Sequence, residues 1–386
     1  MIKEASFISR RFIRVRALQN LYAYQISKQG YFQLALDNIL ADFKPDSFTK
    51  KKIDPVVLTQ EKEEAIRLFR QIIAQKEETV ANYQGISVTI KQSVQRSLLF
   101  FTQALHDESL RLKKGLDKGE VQIRVAYLYI LQLLIQWDCM SYPSDSSLAM
   151  PMPKNKLLQR LQQDTYFLSV IKKDQINWDN HQEIITKGHA CYITNETFIK
   201  PSSQEITIAN DQAILVHLVK NIIFKQEVIQ DFFTNLDLNW TEHKQLVSRL
   251  LLATFQQLSS DNLPSQGINI VLDAFITRWC QENKFYYSLI QKYLLGESKY
   301  EILIKENVKK WDIKRMALID QLVIKLALSE IIYCDDIPVK VSINEYIDIA
   351  KKYGTEKSGQ FINGVLDAII KKSQKEGTIQ FKKNDE

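Results

Sequence analysis

The stretch WDIKRMALIDQLVIKLALSEIIYCDDIPVKVSINEYIDIAKKYGTEKSGQFINGVLDAII, residues 311–370, is where apolar period, stop signals and capping chemistry agree. Asp312 is placed to cap a first helix, along which Ile313, Met316, Ile319, Val323, Leu326 and Ile331 recur on one face. Asp335, Asp336 and Pro338 stop it. Ser342 followed by Glu345 has the spacing of a capping box, in which each side chain satisfies a free backbone N–H. That box predicts a second helix with Ile343, Tyr346, Ile347, Ala350 and Tyr353 inward, ended by Gly354. Ser358 is placed to cap a third, whose Ile362, Val365, Leu366 and Ile369 form the buried stripe. Phe361, Gly364 and Ala368 lie on a neighbouring line, where a large ring beside two very small residues makes a flat shelf.

The rest of the chain is read outward from this module. Eleven Gly and 8 Pro against 18 Phe, 16 Tyr and 45% hydrophobic residues in 386 favour helices with short connections over a turn-rich β fold. Helical spacing runs over residues 10–28, continues over 31–43, and returns in Leu58–Ala81 and Ser93–Lys114. Residues 121–138, VQIRVAYLYILQLLIQWD, are apolar almost all round, which predicts a buried central helix. The Ser- and Pro-rich segment 141–156 and the segment 200–211 read as linkers, with short helical signals between them ending near Trp178. Residues 211–240 echo residues 282–311 at an offset of 71, with Leu218 on Leu289, Phe233 on Ile304 and Trp240 on Trp311. Duplication, two similar hairpins of a repeat-like layer, and convergent amphipathic patterning each produce such an echo. The tail from Lys371 reads as frayed.

The net charge of +6 is unevenly placed: residues 1–16 hold Lys3, Arg10, Arg11, Arg14 and Arg16 against Glu4. Helix geometry puts Arg10 and Arg14 on one line and sends Arg16 roughly the opposite way. Such a fan at a helix start opposes the helix dipole and suits an external polyanion. Lys50, Lys51 and Lys52 are a second basic run, of the kind that is commonly just solvated. Cys139, Cys191, Cys280 and Cys334 are far apart, with no CxxC and no metal-like spacing, and are expected to be buried thiols in a reducing compartment. The arginines interrupt any apolar leader and no segment approaches a membrane span, so the expected location is the cytoplasm. No nucleotide, zinc-protease or esterase motif is present, and Asp320, Glu330 and Asp367 read as capping or buried hydrogen-bonding carboxylates rather than catalysts. No catalytic residue, cofactor or metal site is assigned.

The order IP-VKVSINEYIDIAKKYG-S-FINGVLD, together with WDIKRMALID, resembles the C-terminal half of the NusB family of transcription antitermination factors. Arg10, Arg11, Arg14, Arg16, Ala17, Leu18, Gln19, Leu21, Tyr22 and Gln25 resemble the arginine-rich opening helix of the same family. The resemblance implies an all-α, NusB-like helical bundle of two subdomains, with additional helices inserted between the N-terminal helix and the C-terminal module. On that reading residues 1–140 hold the arginine-rich start, 141–210 linker and insert, 211–310 a repeat-like helical part, 311–372 the NusB-like module and 373–386 a tail. It implies that the two ends of the chain meet, and that single-stranded box A-like RNA lies on Arg10, Arg11, Arg14, Arg16, Tyr22, Lys357 and Phe361. Lys357 and Gln360 depart from the acidic-then-basic pattern expected there. The implied partners are a small-subunit ribosomal protein (NusE) and an RNA polymerase antitermination complex, and the implied mechanism is assembly without catalysis. Two other readings remain open at this point: a helical scaffold that binds proteins through its middle, and a ribosome-biogenesis factor acting on precursor rRNA.

Overall fold

The computed structural model describes residues 7–44, 55–75, 77, 79–140, 154–193, 207–260, 267–308 and 316–377. Among them every regular element is helical. The order is α1 (Arg10–Asp42), α2 (Pro55–Gln75), α3 (Val88–Lys113), α4 (Gly119–Cys139), α5 (Lys156–Gln162), α6 (Thr165–Lys173), α7 (Gln182–Ile193), α8 (Ile208–His217), α9 (Glu227–Leu236), α10 (Trp240–Leu258), α11 (Gly267–Asn307), α12 (Leu318–Tyr333), α13 (Val339–Tyr353) and α14 (Ser358–Glu376). The chain divides into two compact units, Met1–Ile13 with Leu116–Tyr286, and Arg14–Gly115 with Tyr287–Glu386. The expected sequence boundaries at 140, 210 and 310 are not those of the units, because α1 and α11 each supply residues to both.

The first unit is built on α4. Its Ile123, Ala126, Tyr127, Leu128, Ile130, Leu131, Leu133 and Leu134 are buried, which is the all-round burial the apolar run predicts. Tyr127 meets Thr254 of α10 hydroxyl to hydroxyl at 2.7 Å. The insert clasps the same helix through two indoles: Trp137 donates to the Ile185 carbonyl and Trp178 to the Tyr129 carbonyl, both at 3.1 Å. Short helices start where side chains take up their free N–H groups, Asn155 for α5, Asp164 for α6 and Thr207 for α8. The last four residues of the expected 200–211 linker are therefore helix.

The sequence echo does not become a structural repeat. Residues 208–240 fold as α8, a π-helical turn at Leu218–Ile223, α9 and the start of α10. Their counterparts from Glu282 to Asn307 lie within the single helix α11, and Trp311 is outside the described residues. Gln226, at ψ 120, breaks the helix before α9, and α11 has no such break.

The second unit has two cores. The far half of α1 packs with α2 and α3 around Leu36, Ile39, Phe69, Ile72, Val94 and Phe101. Helices α12, α13 and α14 pack pairwise on one another. Here the expected starts shift. Asp312 and Ile313 lie outside the described residues, and α12 begins only at Leu318, after non-helical Met316 and Ala317. Helix α13 begins one turn before the expected box, behind Pro338, whose φ of −60° already suits a helix entry. Ser342 thus lies inside α13 and caps nothing. Ser358 is the first helical residue of α14, and its hydroxyl accepts the Thr355 N–H at 2.8 Å. Gly354 closes α13 as expected, and only glycine fits, since a Cβ there would lie 2.5 Å from Ser358 Oγ and 2.8 Å from the Ala350 carbonyl oxygen. The expected fraying from Lys371 begins later, because α14 continues to Glu376 and ends at Gly377 with φ +63°.

The cysteines correct another expectation: Cys139 and Cys280 are exposed and Cys191 and Cys334 partly so, each at an outward position of its helix or helix end. Lys50, Lys51 and Lys52, and residues 141–153, lie outside the described residues. No helix among the described residues is long and apolar enough to cross a membrane.

Candidate nucleic-acid interface

The opening arginines have different surroundings. In the first unit, Arg10 is half-buried with its guanidinium 5.0 Å from the centre of the Phe285 ring, and Arg11 is exposed. Phe12, one position on, anchors this first turn of α1 against His243 and Trp279, at ring separations of 5.8 and 6.1 Å.

In the second unit, Arg14 and Arg16 are interior groups, 3% and 7% exposed. Arg14 grips Glu330 of α12 with both arms of its fork, Nε to Oε2 at 2.8 Å and Nη2 to Oε1 at 2.7 Å. Its third nitrogen reaches Glu345 Oε2 at 3.4 Å. Glu330, fully buried, also accepts from Ser342 Oγ at 2.6 Å and from Tyr346 Oη at 3.1 Å. Burial works against the charge on Arg14, but its hydrogen bonds to Glu330 and the field of that carboxylate outweigh it and hold the guanidinium above its ordinary range. Burial, reinforced by Glu330, pushes the Tyr346 hydroxyl far up, so it remains a donor. Residues from opposite ends of the chain therefore meet, but through a buried network rather than along an open groove. Arg16 donates to Gln19 Oε1 at 3.0 Å. The guanidinium fan read from the sequence is thus reduced at the surface to its first two members.

Of the two aromatic candidates, Tyr22 is exposed and Phe361 only partly so. Tyr22 is 40% exposed, and Ile26, one turn further along α1, is also exposed. Lys357 is exposed directly before α14, and its carbonyl accepts the Phe361 N–H at 3.1 Å, which fixes the two on one turn. Phe361 is half-buried, Ala368 likewise, and a Cβ added at Gly364 would meet nothing within 4 Å, so the shelf beside the ring is open.

Glu330 is the residue whose importance the sequence understated. Its recognisable signal was a lone carboxylate among Leu328, Ile331 and Ile332, which demands a partner. A second feature emerges only from the division into units: the second holds 33 Lys and Arg against 26 Asp and Glu, the first 18 against 19. The whole net positive charge of the chain sits on the unit that carries Tyr22 and Phe361.

An all-helical protein whose opening helix is locked by a buried Arg–Glu pair onto a three-helix C-terminal module is the class these features define. The model of the NusB family matches residues 242–371, from α10 to α14. The transcription antitermination protein NusB of Desulfosudis oleivorans is 42% identical over 106 residues, 26% of this chain and 69% of that protein. That of Bacillus licheniformis is 35% identical over 121 residues, 31% of this chain and 90% of that protein. That of Chloroherpeton thalassium is 38% identical over 95 residues, and there the match spans 25% of this chain and less than half, 45%, of the relative. The chain belongs to the NusB family. No solved structure matches it.

Proposed function

We propose that this chain is a transcription antitermination factor that works by binding single-stranded RNA, of the box A type found in rRNA leaders, together with a small-subunit ribosomal protein of the NusE kind. The pair then joins an RNA polymerase complex in the cytoplasm. The family membership supports this reading, and the observation that carries it is the exposure of Tyr22 and Lys357, with half-buried Phe361 one turn after Lys357, on the unit that holds the net positive charge. Accessible ring faces offer sequence-tolerant stacking platforms for unpaired bases, and the cationic unit attracts the phosphates. Arg10 and Arg11 add charge at the start of α1. Arg14 acts from inside, by holding α1 against Glu330 of α12. No bond is made or broken; the activity is assembly.

The test is binding of a labelled box A-type RNA to the full chain at several salt concentrations, with and without the ribosomal protein. Each phosphate neutralised contributes about −0.7 to the log–log salt slope for a single strand, so the slope counts the cationic contacts. A folded chain that shows no RNA affinity in either condition rejects the reading.

A further inference from the structure

The hairpin of α2 and α3 lies outside the span matched by the family model, and it carries a concavity with its own chemistry. About 700 Å3 of space opens between the turn Thr79–Ala81 and the outer face of α3. Its apolar lining comes from Val80, Ala81 and Leu99, and its polar lining includes Gln95, Lys91 and Arg96. The turn is fixed in place, because the Val80 N–H donates to Gln95 Oε1 at 3.2 Å and the Val80 side chain is buried. Leu99 is 58% exposed, and Phe100 and Val88 extend the exposed apolar surface along α3.

The charges decide what fits. Among the described residues no carboxylate lines the space. Arg96 touches Asp42 at 3.0 Å yet keeps most of its side chain in solvent, and Lys91 has no ion pair among the described residues. A second copy of the chain docking here about a two-fold axis would set Lys91 and Arg96 against Lys91 and Arg96, which like-charge repulsion opposes. A nucleic-acid strand would find two cations but no ring in the lining on which to stack a base. The volume is that of a small binding site, enough for a few side chains. We infer that this concavity is a docking site for an acidic, amphipathic segment of a protein partner, whose apolar side chains lie on Val80, Ala81 and Leu99 while its carboxylates meet Lys91 and Arg96. This is the helix-in-groove mode of peptide recognition, with charge setting specificity. It does not depend on RNA binding elsewhere in the chain.

A random twelve-residue peptide display library panned on the full-length protein tests it, with recovered peptides synthesised, labelled and titrated by fluorescence anisotropy. The expected peptides combine Leu, Ile or Phe with several Asp or Glu. Their affinity falls at least tenfold in Leu99→Asp and in Lys91→Glu, both outward-facing changes whose folding circular dichroism verifies, and weakens as salt is added. Recovery of no peptide, recovery of peptides without acidic residues, or binding unchanged in both variants overturns the inference. Displacement of the peptide by a twelve-nucleotide oligouridylate also overturns it, since the surface would then be a nucleic-acid site.

Discussion

Arg14 on α1 and Glu330 on α12 are 316 residues apart in the sequence and 2.7 Å apart in the structure. Four hydrogen bonds converge on the Glu330 carboxylate, two from Arg14 and one each from Ser342 and Tyr346, so both oxygens are satisfied without water. A buried pair of this kind contributes little net stability relative to apolar residues of the same shape, because desolvating two ions offsets their attraction. What it does supply is a fixed register for α1, since turning the helix takes Arg14 away from the carboxylate.

Breaking one side of the pair is therefore far worse than removing both. Arg14→Ala or Glu330→Ala leaves an uncompensated buried charge and is expected to cost about 3–5 kcal/mol in urea unfolding. Arg14→Met combined with Glu330→Leu is expected to cost less than either single change, with a residual of about 1–3 kcal/mol from the hydroxyls of Ser342 and Tyr346 that lose their acceptor. Additive effects of Arg14→Met and Glu330→Leu, measured singly and together, contradict this account.

Stability should fall at high pH through buried tyrosines. Burial, with help from nearby carboxylates or other anions, pushes Tyr24 and Tyr300 up to about 12 and raises Tyr127, Tyr293 and Tyr346 further. A raised folded-state value means the folded protein keeps its proton while the unfolded chain gives it up near pH 10. The stabilisation is complete below pH 10 and is lost as pH rises above it, by about 1.4 kcal/mol per pH unit for each such group. Thermal melts between pH 8 and 11.5, followed with tyrosinate absorbance, are expected to show these rings ionising only on unfolding. A melting temperature flat to pH 11.5 rules this out. On the acid side, burial lowers His189, so the unfolded chain binds its proton first and stability declines as pH drops through about 6.5.

Two glycines of the C-terminal module should respond oppositely to alanine. Gly354→Ala drives a Cβ into Ser358 and the Ala350 carbonyl, at a cost of about 1–3 kcal/mol. Gly364→Ala enters open space inside α14 and is expected to stabilise by up to about 1 kcal/mol. If the open shelf beside Phe361 receives a base, Gly364→Ala also weakens RNA binding although the protein is more stable. Equal effects of the two substitutions on the melting temperature defeat the packing argument.

Helix existence was legible in the sequence, because a 3.6-residue apolar period is local information; α4 and α12–α14 were all read from it. Helix entries were not. Ser342 and Glu345 have capping-box spacing, but a serine hydroxyl can serve its own backbone or a distant acceptor, and Glu330 claims it, while Glu345 turns to Arg14. The burial of Arg14 was equally invisible, since a cationic side chain reads as surface until its partner, more than 300 positions away, is brought to it. The echo across 71 residues misled for a related reason: matching apolar spacing does not show whether the helix runs on, as in α11, or breaks, as before α9.

The surface half of the RNA reading separates from its buried half by salt. If Tyr22 and Phe361 stack bases as proposed, Tyr22→Ala and Phe361→Ala are expected to weaken RNA binding by about 1–3 kcal/mol each while leaving the salt slope unchanged. If Lys357 meets a phosphate as proposed, Lys357→Ala weakens binding to every single-stranded sequence alike and makes the slope shallower by about 0.7. Arg14→Met with Glu330→Leu tests the interior: if Arg14 only positions α1, affinity falls without any change of slope. A slope made shallower by that double variant would mean that Arg14 leaves Glu330 to meet a phosphate, and the fixed docking of α1 would have to be abandoned.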